Sequence, residues 1–213
     1  MGGMELMDLQ TSINKNKIKT RGLYFMVKRL IDFILSLFSI ILLIPFFIVI
    51  GFLIKRDSKG PAIFKQKRYG KNKEPFYIYK FRTMRLDAPK NMSTKELNNS
   101  KNYVTEIGSF LRRTSLDELP QLFNILVGQM SIVGPRPVIL REKKLIAARD
   151  LYGANDIKPG ITGWAQINGR DKLSITEKAS LDGYYVENMG LLMDVKCFFK
   201  TIKYVFKGED IIK

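Results

Sequence analysis

The chain has 213 residues, of which 36 are Lys or Arg and 20 are Asp or Glu, so its formal net charge is +16. That length suits one core of ordinary size or two small lobes, and the positive excess indicates an anionic partner: nucleic acid, an acidic membrane surface or a phosphorylated substrate. The single cysteine, Cys197, excludes an internal disulfide and a thiolate metal cluster, so a protein that faces the cytosol is expected.

The first element along the chain is a long apolar segment. Residues 1–22 form a polar tail, and we expect residues 1–20 to be poorly ordered. Residues 33–54 contain no charge, and a helix over them would measure about 33 Å, close to the hydrocarbon thickness of about 30 Å. A single membrane-spanning helix is one interpretation of this segment.

Two features favour a segment that enters and leaves the membrane on the same side. Pro45 lies inside the run and is expected to kink the helix. Six Lys or Arg residues lie on each side of the run, between positions 15 and 68, and the positive-inside rule places both flanks in the cytoplasm. The pattern therefore predicts a re-entrant helix over residues 23–54, broken near Pro45, and a cytoplasmic domain over residues 55–213. Asp32, at the edge of the run, is expected to pair with Lys28 or Arg29.

The rest of the chain predicts an α/β fold that is mostly α. Residues 62–66 and 76–81 are rich in β-formers and flank a turn at 70–73, which indicates a short hairpin. Residues 87–102 are typical of a surface excursion, and residues 158–163 and 168–170 of turns. Helices are expected at 118–126, 138–149, 175–188 and 191–206. The last helix carries one apolar and one lysine-rich face, which suits either a membrane surface or a core-packed helix with a solvated lysine face.

The sequence TSLDELPQLFN at 114–124 carries the strongest chemical signal. Its adjacent carboxylates, Asp117 and Glu118, stand in a chain without histidine, the usual acid–base residue near neutral pH. An aspartate is already ionised at pH 7, and carboxylate nucleophiles attack phosphoryl groups or sugar carbons. Nearby basic residues favour phosphate, and the candidate counter-charges are Lys80, Arg82, Arg112 and Arg136, the last on the proline-stiffened loop GPRP at 134–137.

A plainer interpretation of the same carboxylates is a helix start. Ser115 and Glu118 fit a capping box, although Pro120 would then lose an intrahelical bond, whereas Asp117 as N-cap would place Pro120 in the first turn. In either case both carboxylates lie at a helix N-terminus, which also attracts phosphate. Because two anionic groups would repel a diphosphate, a bridging Mg²⁺ on Glu118 would make the pair chemically consistent as one nucleophile and one metal ligand.

Five stretches resemble the bacterial sugar transferase family, the small monotopic phosphoglycosyl transferases that act on polyprenyl phosphate. They are VKRLID at 27–32, YKFRTM at 79–84, TSLDELP at 114–120, MSIVGPRP at 130–137 and KPGITGWAQINGR at 158–170. The resemblance covers about residue 23 to the end. It implies transfer of a sugar-1-phosphate from a UDP-sugar to undecaprenyl phosphate, with release of UMP, as the first membrane step of glycoconjugate assembly.

The resemblance also implies which residues and partners take part. The reaction would use Mg²⁺ and a covalent phosphosugar intermediate on Asp117, with Glu118 beside it and Lys80, Arg112, Arg136 and Asp182 as further active-site residues. The partners would be the UDP-sugar, undecaprenyl phosphate and membrane lipid, with no nucleic acid, at the cytoplasmic face of the bacterial inner membrane. The family's re-entrant helix is broken at a Ser-Pro pair, where this chain has Ile44-Pro45.

Two other classes of function compete with this interpretation. A non-enzymatic, membrane-anchored module that binds anionic lipid or nucleic acid would explain the charge and the last helix. It would leave the carboxylates beside GPRP without a role. A phosphatidyl-transfer enzyme with a CDP-linked donor would need spaced aspartates with glycine and arginine on a helix, and that signature is absent from the sequence.

Overall fold

The computed structural model describes residues 20–88, 103–169 and 172–207, together with Asn16 and Ile18. Of residues 1–20, only Asn16, Ile18 and Thr20 are described, and they are helical. The disorder expected for the others, and most of the excursion expected at 87–102, lie outside the described residues. The described part is mostly helical, as expected. Its helices are α1 Gly22–Asp57, α2 Glu106–Arg113, α3 Gln121–Leu126, α4 Lys143–Asp150, α5 Trp164–Ile167, α6 Ile175–Asn188 and α7 Leu191–Lys207, and its strands are β1 Ile63–Tyr69, β2 Pro75–Phe81, β3 Ser131–Val133, β4 Val138–Ile139 and β5 Gly160–Thr162.

Helix α1 is long and apolar enough to cross a membrane. It is helical on both sides of Pro45 without a gap, so Pro45 does not divide it into two separate helices. Most of its large apolar side chains are exposed, and its buried residues lie along one face: Asp32, Ser36, Ile40, Ile50 and Ile54. The apolar surface of α1 therefore points away from the rest of the protein, as it would toward lipid.

Both halves of α1 pack against the same short helix, α3. Arg29 donates hydrogen bonds to the carbonyl oxygens of Ile125 and Leu126, at 2.6 and 2.7 Å. The Phe47 ring lies 5.8 Å from the Phe123 ring, centroid to centroid. Both halves of α1, on either side of Pro45, therefore contact the same six-residue helix.

A partly buried carboxylate fixes the amino-terminal half of α1. Asp194, on α7, accepts hydrogen bonds from the Lys28 ammonium at 2.7 Å and from the hydroxyls of Tyr24 and Tyr185 at 2.9 and 2.6 Å. The expected pairing of Asp32 with Lys28 or Arg29 is therefore wrong. Asp32 instead accepts a hydrogen bond from the backbone amide of Ile132, a partner 100 positions away in the sequence that helical spacing could not indicate.

Two small sheets form the remaining framework. The expected hairpin is confirmed and is longer than predicted, because β1 and β2 pair antiparallel from Ile63–Phe81 to Tyr69–Pro75. Strand β4 joins the outer edge of β1, so the helix expected at 138–149 begins only at Lys143. Strand β5 pairs parallel with β3, so the turn expected at 158–163 contains a strand. Both errors concern very short strands whose pairing partners are distant in sequence.

The last two helices are confirmed within a residue. Helix α6 begins with a capping box between Ser174 and Glu177. On α7, Cys197 is buried in the core, while the apolar side chains of Val195, Phe198, Phe199 and Ile202 are exposed. Its lysines at 196 and 200 lie over the Trp164 ring, with their ammonium groups 4.9 and 5.0 Å from its centroid. Helix α7 thus combines a buried face with an exposed apolar one.

Candidate active site

The carboxylate pair lies on a single 3₁₀ turn, Leu116–Glu118, between α2 and α3. Ser115 precedes it in the left-handed conformation, with φ of 56°, and its side chain makes no cap hydrogen bond. The capping-box interpretation is therefore wrong, and so is Asp117 as N-cap, because Pro120 occupies the N-cap position of α3. A non-glycine residue in this conformation is held there by its surroundings, and such positions cluster at functional sites.

Glu118 is the centre of an ion-pair cluster. Its Oε1 accepts from the Lys80 ammonium at 2.6 Å and from the Arg136 guanidinium at 3.0 Å. Burial disfavours ionisation of this carboxyl, but the two cations outweigh burial and hold the pKa of Glu118 well below its usual range. Glu118 is therefore a fixed negative charge that joins strand β2 to the GPRP loop.

Asp117 has the opposite electrostatic environment. Burial raises the pKa of its carboxyl above the usual range, and the neighbouring Glu118 charge adds to this rise. Lys80, Arg112 and Arg136 oppose the rise. Among the residues that the structure describes, none donates a hydrogen bond to the Asp117 carboxylate, so this group is held near three cations without being neutralised by a direct pair. That state is typical of a reactive group rather than of a structural one.

One contact holds Arg112 near the turn, and another fixes the strand that carries Lys80. The Arg112 Nε donates to Thr83 Oγ1 at 2.9 Å, and burial lowers the pKa of Arg112 while the Asp117 charge raises it. Asn124 is fully buried on α3 and clamps β2: its Nδ2 donates to the Tyr77 carbonyl at 2.7 Å and its Oδ1 accepts from the Tyr79 amide at 3.0 Å. This clamp fixes the strand that carries the cation paired with Glu118.

Two arginines that the sequence did not single out as site residues hold the GPRP loop. Arg149 donates to the main-chain oxygen of Arg136 at 2.9 Å, and Arg68 donates to that of Pro137 at 3.1 Å. Burial lowers the pKa of Arg68 to about 10. Glycine at position 134 permits the close approach of this loop to the chain near Lys158, because a Cβ there would collide with the Lys158 carbonyl. No local sequence pattern distinguishes Arg68 or Arg149 from arginines on the surface.

Asp182 contacts Arg149 rather than the carboxylate pair itself. Its Oδ2 accepts from Arg149 Nη2 at 2.6 Å and Nε at 2.7 Å, and only 1 % of its surface is exposed. Burial raises the pKa of Asp182, and the guanidinium opposes this. The chain of contacts from Asp182 through Arg149 to the Arg136 carbonyl therefore connects α6 to the GPRP loop.

Arg82 is placed differently from the other predicted site residues. Its guanidinium is buried and donates to the carbonyl oxygens of Ser58, at 2.7 Å, and of Ile54, at 3.3 Å, with a further bond to Lys59. These carbonyls belong to the carboxy-terminal end of α1, where helices lack intrahelical partners. The structure therefore brings together Lys80, Arg112, Arg136 and the carboxylates, and uses Arg82 to cap α1.

The donor set fits Mg²⁺ in one specific way. Within the described ranges, no group of three His, Cys, Asp or Glu side chains could hold a metal ion. Mg²⁺ does not need such a cage, because it binds through one or two carboxylates together with substrate phosphates and water. Glu118 uses Oε1 for its two cations, and within the described residues Oε2 accepts no hydrogen bond. The pair therefore suits Mg²⁺ that arrives with a phosphorylated ligand.

The chain matches the model of the bacterial sugar transferase family over residues 23–208. It is 43 % identical to the UDP-glucose:undecaprenyl-phosphate glucose-1-phosphate transferase of Klebsiella pneumoniae over 196 residues, which are 88 % of this chain and 41 % of that protein. It is 38 % identical to the exopolysaccharide production protein PSS of Rhizobium leguminosarum bv. phaseoli over 186 residues, 83 % of this chain and 93 % of the relative.

A third relative bears on the sugar. The UDP-galactose-lipid carrier transferase of Erwinia amylovora is 38 % identical over an alignment of 220 residues, gaps included. The alignment covers 96 % of this chain and 45 % of that protein. The chain thus spans less than half the length of the Klebsiella and Erwinia relatives and nearly all of the Rhizobium one. Similar identity to proteins named for glucose and for galactose does not single out either sugar.

Proposed function

Because this chain belongs to the bacterial sugar transferase family, we propose that it transfers a sugar-1-phosphate from a UDP-sugar to undecaprenyl phosphate and releases UMP. The observation that carries the proposal is the cluster around Asp117: a half-buried carboxylate without a direct hydrogen-bond donor among the described residues, beside Glu118, Lys80, Arg112 and Arg136. This arrangement suits phosphoryl transfer, where positioning and charge neutralisation supply most of the catalysis. The names of the relatives support the same donor and acceptor.

The reaction proceeds in two displacements at phosphorus. In the first, an Asp117 oxygen attacks the sugar-linked phosphorus, the bond to the bridging oxygen breaks, and UMP departs with that bonding pair. In the second, an oxygen of the lipid phosphate attacks the aspartyl-bound phosphorus, which regenerates the Asp117 carboxylate and yields a lipid diphosphate sugar. Arg112 and Arg136 stabilise the charge on the equatorial oxygens, and Lys80 fixes Glu118 beside them.

Mg²⁺, when bound, would offset the repulsion between the two carboxylates and the diphosphate. Glu118 would hold it together with phosphate oxygens. We expect Glu118→Gln to weaken the dependence of the rate on Mg²⁺ and to lower the rate by roughly two orders of magnitude. Titration of UMP release against Mg²⁺ measures both. An unchanged titration curve in this variant would limit Glu118 to its ion pairs with Lys80 and Arg136.

The pH dependence of kcat/KM tests the charges around the nucleophile. Asp117 must be ionised to attack, so activity is lost as pH falls through its pKa, which burial places above the usual aspartate range. Glu118→Gln removes a negative neighbour and should move this acid limb to lower pH. Lys80→Met removes a cation and should move it to higher pH. Shifts in the same direction for both variants would show that the limb does not report Asp117.

We place the protein at the cytoplasmic face of the bacterial inner membrane, with both ends of α1 on that side. The packing of both halves of α1 against the same short helix, α3, supports this. The alternative spanning orientation would carry basic flanks outward against the membrane potential, at about 2.3 kcal/mol per charge per 100 mV. Pro45 has no backbone N–H, so the helix lacks one hydrogen bond there and can bend at that point.

Cysteine labelling in intact cells tests this topology. In a Cys197→Ala background, Thr20→Cys and Ser58→Cys should both resist a membrane-impermeant thiol reagent until the cells are permeabilised. Adding Pro45→Leu should straighten α1 and expose one of the two positions in part of the population. Strong labelling of either cysteine in intact cells without the Pro45 change would establish a spanning helix instead.

A panel of UDP-sugars, with undecaprenyl phosphate as acceptor and UMP release as the readout, tests the proposed reaction and identifies the sugar. Activity must require the lipid acceptor for multiple turnovers. Failure to release UMP from any UDP-sugar, in a folded protein with Mg²⁺, would favour the non-enzymatic membrane module.

A further inference from the structure

A cavity at the amino-terminal half of α1 has no role in the proposed reaction. Its volume is about 200 Å³, and it lies beyond the carboxy-terminal end of α3, where Arg29 contacts Ile125 and Leu126. The Asp117 pair precedes the opposite end of this helix. Six charged side chains line the cavity: Lys28, Arg29, Lys71, Lys158, Asp32 and Asp156.

The charges in this cavity are not balanced. Four cations and two carboxylates line it. Lys28 pairs with Asp194, Arg29 donates to two carbonyl oxygens, and Asp32 already accepts a backbone hydrogen bond from Ile132. Within the described ranges, no group accepts a hydrogen bond from the ammonium of Lys71 or Lys158. Burial lowers the pKa of Lys158, the nearby Arg29 and Lys71 charges lower it further, and Asp32 opposes them. Such a group of like charges is stabilised by an anion placed among them.

A buried hydroxyl provides a second, independent sign of a ligand. Ser131, on β3, lines the same cavity with 1 % of its surface exposed, and its Oγ has no hydrogen-bond partner in the described structure. Buried polar groups are nearly always hydrogen-bonded, because an unsatisfied one loses its hydration without compensation. The hydroxyl can donate to an anionic oxygen in the cavity, as can the two lysine ammonium groups.

The cavity adjoins a shallow apolar groove on the outer face of α1. Phe25 and Arg29 line both, and Met26, Leu30 and Phe33 complete the groove. An apolar track that ends in a basic cavity matches a molecule with a hydrocarbon chain and an anionic head. Since α1 exposes its apolar surface outward, bilayer lipid has direct access to the groove.

We propose that this cavity binds the phosphodiester headgroup of an anionic phospholipid, whose chain lies along the groove of Phe25, Met26, Leu30 and Phe33. Lys71, Lys158 and the Ser131 hydroxyl contact the phosphate oxygens. The site is separate from the Asp117 pair, so phospholipid and substrate bind together rather than in competition. By holding one lipid beside Lys28 and Arg29, the site orients the amino-terminal end of α1.

Phospholipid binding to the intact protein in a neutral detergent tests this site. The protein is delipidated and titrated with phosphatidylglycerol, and bound lipid is counted by native mass spectrometry. Lys71→Gln combined with Lys158→Gln should weaken binding of one lipid by about tenfold or more, as expected for two charges near a phosphate. The control pair Lys55→Gln and Arg56→Gln removes the same charge at the other end of α1 and should bind as the unchanged protein does.

Three further measurements decide the outcome. Ser131→Ala should weaken phosphatidylglycerol binding without changing the net charge, and it serves if the lysine variant does not fold. Phosphatidylcholine should bind more weakly than phosphatidylglycerol. Inorganic phosphate and undecaprenyl phosphate should not displace the bound lipid. Displacement by either competitor, or unchanged binding in both the lysine and Ser131 variants, would overturn the proposal. The titration contains no UDP-sugar, so its result is independent of the proposed reaction.

Discussion

Asp117→Asn is expected to lower the rate of UMP release by roughly three orders of magnitude or more, because an amide offers no anionic oxygen to attack phosphorus. The fold should be unaffected, since the Asp117 side chain makes no hydrogen bond within the described residues. Asp87→Asn, which alters an exposed aspartate paired with Arg85, is the matched control and should retain full activity.

Mass spectrometry provides the direct test of the nucleophile. The unchanged enzyme, mixed with the UDP-sugar and no lipid acceptor, should acquire a sugar-phosphate on the peptide that contains Asp117. Addition of undecaprenyl phosphate should remove it. If Asp117→Asn forms the same adduct, or releases UMP at the normal rate, another residue is the nucleophile.

Asp182→Ala should destabilise the protein by about 3–5 kcal/mol, because it leaves the Arg149 guanidinium buried without its counter-charge. Thermal or urea unfolding measures this loss. Asp87→Ala breaks an exposed ion pair instead and should change the free energy of unfolding little. A small effect of Asp182→Ala would show that water reaches Arg149 and that the pair is not the buried link described above.

A double variant separates stability from positioning. Asp182→Leu with Arg149→Met replaces the ion pair by apolar side chains, which often restores stability. It also removes the hydrogen bond from Arg149 to the Arg136 carbonyl. We therefore expect a stable protein whose UMP release remains impaired, through a loosened GPRP loop. Full activity in this variant would assign Asp182 and Arg149 to folding alone.

The sequence identified the groups that carry charge but not the contacts that place them. Lys80 and Arg136 pair with Glu118, and Arg112 lies near Asp117, as expected. Strand β2, helix α2 and the GPRP loop, which carry these three residues, all border the turn Leu116–Glu118. Arg82 lies in the same motif as Lys80 and, two positions later, would share its face if the strand continued. Strand β2 ends at Phe81, however, and the Arg82 guanidinium binds the carbonyl oxygens at the end of α1 instead.

Elements with strong local signals were also predicted well. Helix α6 has a capping box and the β1–β2 hairpin has a marked turn. Strands β3, β4 and β5 have two or three residues each and are defined by distant pairing, which no local pattern reports. The same limit explains why Arg68 and Arg149 were missed. Their partners are carbonyl oxygens of a loop 69 and 13 positions away, and backbone acceptors carry no sequence identity.

The Asp194 carboxylate has a consequence for biosynthesis. It follows Lys28 by 166 positions, and a ribosome adding about 5–20 residues per second needs roughly 8–33 s to cover that interval. Throughout that time the nascent α1 lacks the partner that later fixes its amino-terminal half. Under the proposed topology, its orientation in the bilayer is therefore decided by its own charges and by Pro45. Docking of α7 comes afterward and holds an orientation that the amino-terminal half has already taken.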